Sequence, residues 1–236
     1  MEIVKVKNYD EMSIAAAKIL AKQIREKPDS VLGFATGGTP VGTYKELVTM
    51  HERDGLDFSS VTTFNLDEYY GLNREHDQSY YYFMKEKLFG RVNMSAEKIH
   101  IPDGMAKDVA RECEDYEKRI ADAGGIDLQL LGVGGNGHIG FNEPDDVFHN
   151  KTRLVDLTES TIEANARFFN ARAEVPTTAI SMGIGTIMGA RKIVLIAGAD
   201  KAGTMKQFLE NPFVSPRLPV SILHYHPDCT VIVADY

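Results

Sequence analysis

The sequence predicts an α/β fold, a doubly wound, mostly parallel sheet with helices on both faces in a Rossmann-like three-layer sandwich. Short apolar runs rich in Val, Ile and Leu alternate with longer amphipathic stretches along the 236 residues. Strands of that composition are typical of parallel sheets covered by helices on both faces. The chain is 43% hydrophobic and 25% charged, which supplies enough apolar material for a large core. We expect a single domain over residues 1–236.

The individual elements follow from the spacing of apolar residues. Short apolar runs predict strands at 2–7, 30–36, 61–66, 98–101, 127–133, 152–157, 177–182, 192–199 and 229–234. Amphipathic stretches predict helices at 10–27, 40–53, 78–89, 107–122, 159–169 and 201–210, and a short helix before the strand at 192–199. In such sheets, ligands bind beyond the carboxyl ends of the strands, near a reversal of strand order. We therefore expect the chemistry just after residues 36, 66, 133 and 199.

Charge and composition argue against several classes of partner. The net charge is −8 and no Lys/Arg block stands out, so neither a nucleic-acid surface nor an anionic-membrane surface is expected. No apolar run approaches the ~20 residues that span a bilayer, and "MEIVKVKNYD" lacks the apolar core of a signal peptide. Cys113 and Cys229 are widely spaced, which indicates reduced thiols rather than a disulfide framework or zinc site. These features predict a cytoplasmic protein.

A glycine-rich turn follows the predicted strand at 30–36. In "FATGGTPVGTYKELV", Gly37, Gly38 and Thr39 precede Pro40 and a helix. Proline suits the first helical turn, and glycine lets the backbone approach a ligand closely. The N–H groups at such a helix start can bind phosphate. The pattern favours an anion site over an ordinary tight turn, and it is not a Walker A loop because no Gly-Lys-Ser/Thr follows.

Two adjacent carboxylates follow the predicted strand at 61–66. Asp67 and Glu68 lie in "TFNLDEYYGL", at the expected ligand edge of the sheet. One of them is a candidate general base. The alternative is a helix N-cap or a solvated turn.

A second glycine-rich segment, "LLGVGGNGHIGFNEP", contains a literal G-x-G-x-x-G at residues 132–137. A dinucleotide site needs a helix to begin at the third glycine, and Gly140 and Pro144 prevent one here. The remaining interpretation is a loop that presents His138 as an acid/base catalyst. The alternative is that His138 is a structural histidine. Its polar neighbours in the loop are Asn136, Asn142 and Glu143.

Two cations complete the candidate set. Arg167 lies in "EANARFFN", and Lys201 follows the predicted strand at 192–199. Each alone is typical of a surface charge, but together near the glycine turn they would form a clamp for a dianion. His224 and His226 could share one face as a metal pair, although no third ligand is evident, and we expect no metal.

Taken together, "GFATGGTPVGTYKEL", "FNLDEYYGL", "GVGGNGHIGFNEP", "ANARFFN" and "GADKA" closely resemble the glucosamine-6-phosphate deaminase family. The related 6-phosphogluconolactonases share the fold, but the second and third motifs are similar to those of the deaminases. The resemblance implies conversion of glucosamine 6-phosphate and water to fructose 6-phosphate and ammonia, without a metal or organic cofactor. The implied partner is a small sugar phosphate, and the sequence leaves self-association open.

The resemblance also implies residue roles. Asp67 would move the proton between C2 and C1, and His138 would open the pyranose ring with help from Asn136 and Glu143. The phosphate would be held by Gly37, Gly38, Thr39, Arg167 and Lys201. Many members of the family have Asp at the position of Asn136, and this departure puts a His–Asp relay in doubt and shifts the burden to Glu143.

Three further expectations concern rivals and regulation. A 6-phosphogluconolactonase-like hydrolase and a non-catalytic sugar-phosphate sensor are the alternatives, and the intact Asp67, His138 and Glu143 set argues against the sensor. Several family members are activated by N-acetylglucosamine 6-phosphate, bound through an Arg, a Lys, nearby serines and a C-terminal tail. Here Arg153 matches the arginine, but Val155 replaces the lysine, "DDV" replaces the serine stretch, and the chain stops at Tyr236. We therefore expect no allosteric activation.

Overall fold

A computed structural model describes residues 1–234 of the chain. The strands within those residues are β1 (Glu2–Val6), β2 (Val31–Phe34), β3 (Thr62–Asn65), β4 (Asp67–Tyr69), β5 (Ile99–His100), β6 (Leu128–Leu131), β7 (Arg153–Asp156), β8 (Thr178–Ser181), β9 (Lys192–Ala197) and β10 (Cys229–Ala234). The α-helices are α1 (Tyr9–Glu26), α2 (Val41–Asp54), α3 (Tyr80–Lys87), α4 (Val109–Asp122), α5 (Glu159–Ala166), α6 (Ile184–Met188) and α7 (Ala202–Glu210). The expectation about the chain end at Tyr236 lies outside the described residues.

The larger sheet has seven strands in the order β1-β10-β9-β6-β2-β3-β5, and all of its pairs are parallel. From β2 the chain adds β3 and β5 on one side, and it then crosses back to place β6, β9 and β10 on the other. The strand order therefore reverses between β2 and β6. At such a reversal the loops after the two strands diverge and leave a crevice for a ligand.

Helices cover both faces of this sheet. One buried cluster joins residues of α1, α2 and α3 to one face of the strands, including Leu20, Leu47 and Met84. A second cluster joins α4, α6 and α7 to the opposite face, including Ile120 and Phe208. The predicted α/β fold with helices on both faces is confirmed. Within residues 1–234 no helix is both long and apolar enough to cross a membrane.

A smaller antiparallel sheet, in the order β4-β8-β7, lies apart from the parallel one. The apolar pattern predicts strands at 152–157 and 177–182 without separating them from the parallel sheet, and it does not predict β4 at all. In β7, exposed Leu154 and Asp156 flank buried Val155, which is the alternation of an antiparallel sheet with one solvated face. The strand β4 has only three residues, two of them acidic, and intrinsic strand propensity does not identify such a segment.

Candidate active site

A cavity of about 440 Å³ opens at the carboxyl ends of β2 and β6, where the strand order reverses. The predicted site residues that line it are Gly37, Gly38, Thr39, Asp67, Asn136, His138, Arg167 and Lys201. Glu143 contacts two of them from behind the wall of the cavity. Segments far apart in the chain converge here because parallel strands deliver their carboxyl ends to one edge of the sheet.

Asp67 is buried at the floor of the cavity, with 6% of its surface exposed. It is the first residue of β4 and pairs with Ser181 of β8. Burial, and secondarily the charge of Glu68, raise the pKa of Asp67 to about 8. A carboxyl group with a pKa near neutrality is a far stronger base than an exposed aspartate, which suits it to proton abstraction.

Glu68 faces away from the cavity, toward the start of α3. Its carboxylate accepts the main-chain N–H groups of Tyr69, Tyr80 and Tyr81 at 2.8 to 2.9 Å. Burial raises the pKa of Glu68 to about 7, and these three N–H groups oppose the rise. The adjacent carboxylates therefore differ in position and in role. Asp67 lies in the cavity, whereas Glu68 anchors the helix start that carries Tyr80 into the cavity wall.

The loop after β6 wraps closely around the His138 ring. A Cβ atom at Gly134 would lie 2.3 Å from that ring, so only glycine permits this approach. The Gly134 N–H donates to the His138 carbonyl at 2.9 Å, and Gly137 adopts φ +86°. No helix begins at Gly137, and the loop serves to present the imidazole rather than to bind a dinucleotide.

Glu143 is the side chain that meets the imidazole. Its Oε2 lies 3.3 Å from His138 Nδ1 and accepts from Asn136 Nδ2 at 2.6 Å. The Asn136 Oδ1 instead accepts the main-chain N–H of His138 at 3.2 Å. Asn136 thus holds the backbone and the carboxylate, while Glu143 orients the ring.

Glu143 remains ionised in this setting. Burial raises the pKa of its carboxyl group, but His138, Thr161 and Asn136 together lower it to about 2. An ionised carboxylate at Nδ1 favours the tautomer with the proton on Nδ1, which leaves Nε2 as the basic nitrogen. Thr158 and Thr161 donate to the other oxygen, Oε1, and tie the His138 loop to α5.

The glycine turn at 37–39 lines the same cavity as Asp67 and His138. Gly37 has φ +100°, and within residues 1–234 the N–H groups of Gly37, Gly38 and Thr39 donate to no protein acceptor. Unpartnered N–H groups at the start of α2 form a ready anion site.

Two cations line the same cavity as this turn. Arg167 at the end of α5 is exposed and lies over the Phe168 ring at 4.7 Å, with no ion pair in the part of the chain that the structure describes. Lys201 Nζ lies 2.8 Å from Asp200 Oδ2. Because the Asp200 side chain is 70% exposed, this ion pair is weak and a ligand dianion can replace it.

The structure adds cavity residues to which the sequence analysis gave no role. They are Tyr80 from α3 and Ser160, Thr161 and Asn165 from α5. Asn165 lies inside the motif "ANARFFN", Ser160 and Thr161 precede that motif closely, and Tyr80 follows "DEYYGL" along the chain. The side chains of His224 and His226 contact main-chain carbonyls, and no cluster of three or more metal-ligating side chains occurs among the described residues.

The fold and cavity define an α/β protein whose cavity is lined by a glycine turn, a buried carboxylate and a partly buried imidazole. The family model of glucosamine-6-phosphate isomerases and 6-phosphogluconolactonases matches residues 7–232, so the chain belongs to this family.

Individual relatives are similar over nearly the whole chain. The glucosamine-6-phosphate deaminase of Thermoanaerobacter pseudethanolicus is 53% identical over 99% of this chain and 92% of its own. That of Clostridium acetobutylicum is 54% identical over 99% and 97%. A solved monomeric glucosamine-6-phosphate deaminase has a TM-score of 0.97 at 43% identity, covering 100% of this chain and 98% of that one. The solved 6-phosphogluconolactonase of Thermotoga maritima has a TM-score of 0.78 at 18% identity over 99% of each chain, a likeness of fold alone.

Proposed function

We propose that the protein is a glucosamine-6-phosphate deaminase that converts glucosamine 6-phosphate and water to fructose 6-phosphate and ammonia. One observation carries the proposal: a buried carboxylate of raised pKa, Asp67, shares a cavity with a carboxylate-oriented imidazole, His138, and an anion-binding turn. The proposal is further supported by relatives of that name at 53–54% identity. The lactonase alternative does not require a base at C2, the role that Asp67 is suited to fill.

Substrate binding begins at the phosphate. The N–H groups at 37–39 and the charges of Arg167 and Lys201 supply hydrogen bonds and charge for a dianion. Charge-assisted hydrogen bonds of this kind are about twice as strong as neutral ones. Holding the phosphate places the sugar end against Asp67 and His138, and binding energy remote from the reacting atoms is thereby used for orientation.

His138 opens the ring in this mechanism. The imidazole Nε2 takes the proton of the C1 hydroxyl and returns one to the ring oxygen, as the C1–O bond becomes the aldehyde carbonyl and the ring C1–O5 bond breaks. The imidazolium that forms between the two transfers is stabilised by ionised Glu143 at Nδ1. Asn136 keeps Glu143 in place through its 2.6 Å hydrogen bond.

Asp67 then isomerises the open-chain amino aldehyde. Its carboxylate removes the proton from C2, which is acidic because it is next to the aldehyde, while the aldehyde oxygen O1 gains a proton to give an enolamine. The carboxylic acid then delivers its proton to C1 as the amino group loses one. The product is a 2-imine, which water hydrolyses to the ketone with release of ammonia. The net change is the transfer of one proton from C2 to C1 through Asp67 and of one proton from the amino group to O1. No oxidant or reductant is consumed, and the proposal requires no metal or organic cofactor.

We also propose that the enzyme is not activated by N-acetylglucosamine 6-phosphate. Arg153 donates to Asn142 Oδ1 at 2.9 Å, and Asp145 lies close to it. The Asp146 N–H, then His149, and also the Arg153 charge lower the pKa of the Asp145 carboxyl group. A carboxylate about 4 Å from a ligand phosphate would cost roughly 4 kcal/mol at an effective dielectric near 20, whereas typical allosteric couplings are only about 1–3 kcal/mol.

The similar solved deaminase is monomeric, which supports a monomer here as well. A cytoplasmic location is supported by the two buried free thiols, Cys113 and Cys229, because such thiols persist in reducing compartments.

The decisive experiment supplies the purified protein with glucosamine 6-phosphate and measures ammonia and fructose 6-phosphate together. Equal amounts of both products are expected. Hydrolysis of 6-phosphogluconolactone without ammonia release would assign the lactonase instead. Binding of glucosamine 6-phosphate with no turnover of either compound would assign the sensor.

A further inference from the structure

The phosphate end of the cavity is supported from outside by a residue that no motif of the sequence singled out. Tyr9 is the first residue of α1 and does not line the cavity. Its hydroxyl donates to the Gly38 carbonyl at 3.1 Å and accepts the Gly42 N–H at 2.8 Å. One hydroxyl thus joins the glycine turn to the first turn of α2.

The start of α1 is fixed by its own capping. Asn8 Oδ1 accepts the Glu11 N–H at 2.9 Å, and the Lys7 N–H donates to Glu11 Oε2 at 3.0 Å. Such reciprocal caps fix the entry of the chain into a helix. The position of Tyr9 therefore follows from α1 and does not depend on a ligand.

Gly42 allows α1 to come this close. A Cβ atom at position 42 would lie 2.2 Å from Ser13 Oγ and 2.9 Å from a ring carbon of Tyr9. A side chain there would clash with Ser13 and Tyr9 and would disturb the contact between the Tyr9 hydroxyl and the glycine turn. The glycine of "GGTPVGT" that lies inside α2 is thus explained by the approach of a second helix.

The contact with Gly38 has a direct effect on the cavity. A peptide unit is planar and trans, so the carbonyl of Gly38 and the N–H of Thr39 point in opposite directions. The Gly38 carbonyl accepts from the Tyr9 hydroxyl at 3.1 Å and, over a longer distance of 3.4 Å, from the Val41 N–H. With the carbonyl held on this side, the Thr39 N–H is directed to the other side. Thr39 lines the cavity, and its N–H donates to no protein acceptor within residues 1–234. The second anchor of the turn is Tyr44, whose hydroxyl donates to the Ala35 carbonyl.

We propose that Tyr9 is a positioning residue for phosphate binding, which acts by orienting the peptide unit between Gly38 and Thr39. This inference rests on the proposed function only in taking the turn at 37–39 as the phosphate site. Tyr9 itself touches neither the sugar nor the reacting atoms. It should therefore affect how tightly a phosphate binds and leave the chemical step unchanged.

The test is Tyr9→Phe, which keeps the ring and removes the hydroxyl. We expect KM for glucosamine 6-phosphate and the inhibition constant of inorganic phosphate to rise by the same factor, about 2- to 12-fold, the worth of one hydrogen bond. The kcat should stay within twofold of the wild-type value. Gly42→Ala should reproduce this pattern. Tyr225→Phe, at a tyrosine that is 74% exposed, is the matched control and should change neither constant.

The outcomes separate the two proposals. Ammonia release by the wild-type protein tests the function, whatever Tyr9→Phe does. Calorimetric titration with inorganic phosphate tests Tyr9 directly, even if the wild type releases no ammonia. Unchanged phosphate affinity in Tyr9→Phe would overturn the role of Tyr9. A lower kcat and melting temperature, with KM and the inhibition constant of phosphate both unchanged, would overturn it too. A wild-type protein that binds no inorganic phosphate would overturn it as well.

Discussion

The two ends of the cavity are built in different ways. At the catalytic end, Asp67 is buried, and Glu143 and His138 are held by side-chain hydrogen bonds from the loop and α5. At the end that we propose to bind phosphate, the turn at 37–39 presents main-chain N–H groups without protein partners among residues 1–234, and Arg167 and Lys201 line the same cavity. His138 and Glu143 are hydrogen-bonded before substrate arrives, whereas the turn that we propose to bind the phosphate presents N–H groups that a ligand would complete. Chemistry and binding should therefore be separable by mutation.

The largest effect is expected from Asp67→Asn. The amide cannot accept the C2 proton, so kcat should fall by about 10²–10⁴-fold, the usual contribution of a general base. Binding of inorganic phosphate should stay within twofold of wild type, because the phosphate end is untouched. In D2O, the variant should not exchange label into C1 of fructose 6-phosphate.

The matched control is Asp156→Asn, at an exposed carboxylate of β7 in the same small sheet, which should keep wild-type kcat. Exchange at the wild-type rate in Asp67→Asn would show that another group is the base.

Arg167→Ala tests the other end. One charge-assisted contact is worth roughly 1.5–3 kcal/mol, so KM should rise by about 10- to 150-fold with little change in kcat. The control is Arg111→Ala, at an arginine of α4 whose side chain is 78% exposed. A KM within twofold of the wild-type value would show that Arg167 does not bind the phosphate.

The raised pKa of Asp67 predicts a pH dependence for activity. The base must be ionised to act, so kcat/KM should fall as the pH drops below about 8, far above the range of an exposed aspartate near 3.9. Glu143, with a pKa of about 2, should add no limb between pH 5 and pH 9. A profile that is flat from pH 5 to pH 8 would contradict the assignment.

The same pKa has a consequence for stability. The Asp67 carboxyl binds its proton more tightly in the folded than in the unfolded state, so the folded protein loses stability as the pH rises from about 4 toward 8. The asparagine amide does not titrate, so the Asp67→Asn protein does not lose stability in this way. Asp67→Asn should therefore melt above the wild type by a few degrees, and calorimetry should show the difference growing from pH 5 to pH 8. A difference that is constant over this range would argue against a raised pKa.

The smallest expected effect is regulatory. The rate should depend hyperbolically on glucosamine 6-phosphate, and N-acetylglucosamine 6-phosphate should not change the curve, because the Asp145 carboxylate, whose charge interacts with that of Arg153, would repel a phosphate bound there. Steady-state assays with and without that compound check this. A sigmoidal curve that the compound makes hyperbolic would show that an activator site exists.

Much of this comparison could be predicted from local sequence. The glycine turn, Asp67 and the His138 loop each follow a buried apolar strand, and parallel strands bring their carboxyl ends to one edge of the sheet. That rule by itself predicts that these separate segments meet at one site. Local sequence was also enough to exclude a dinucleotide-binding site, because Gly140 and Pro144 do not permit a helix to begin after Gly137.

Residue patterns by themselves do not separate the members of each group. The family resemblance indicated Asp67 and Glu143, and the tertiary structure gives the physical reason. Asp67 and Glu68 are equivalent in sequence, but adjacent side chains of a strand point to opposite faces, and β4 exists only through its pairing with β8. Likewise, Asn136 and Glu143 were both candidate partners of His138, and the path of the loop brought Glu143 to the ring. Tyr9 reaches the turn from a helix 29 residues away. A local sequence pattern predicts which residues follow a strand. It does not predict which side chains contact each other, because those contacts depend on packing between segments that are distant in sequence.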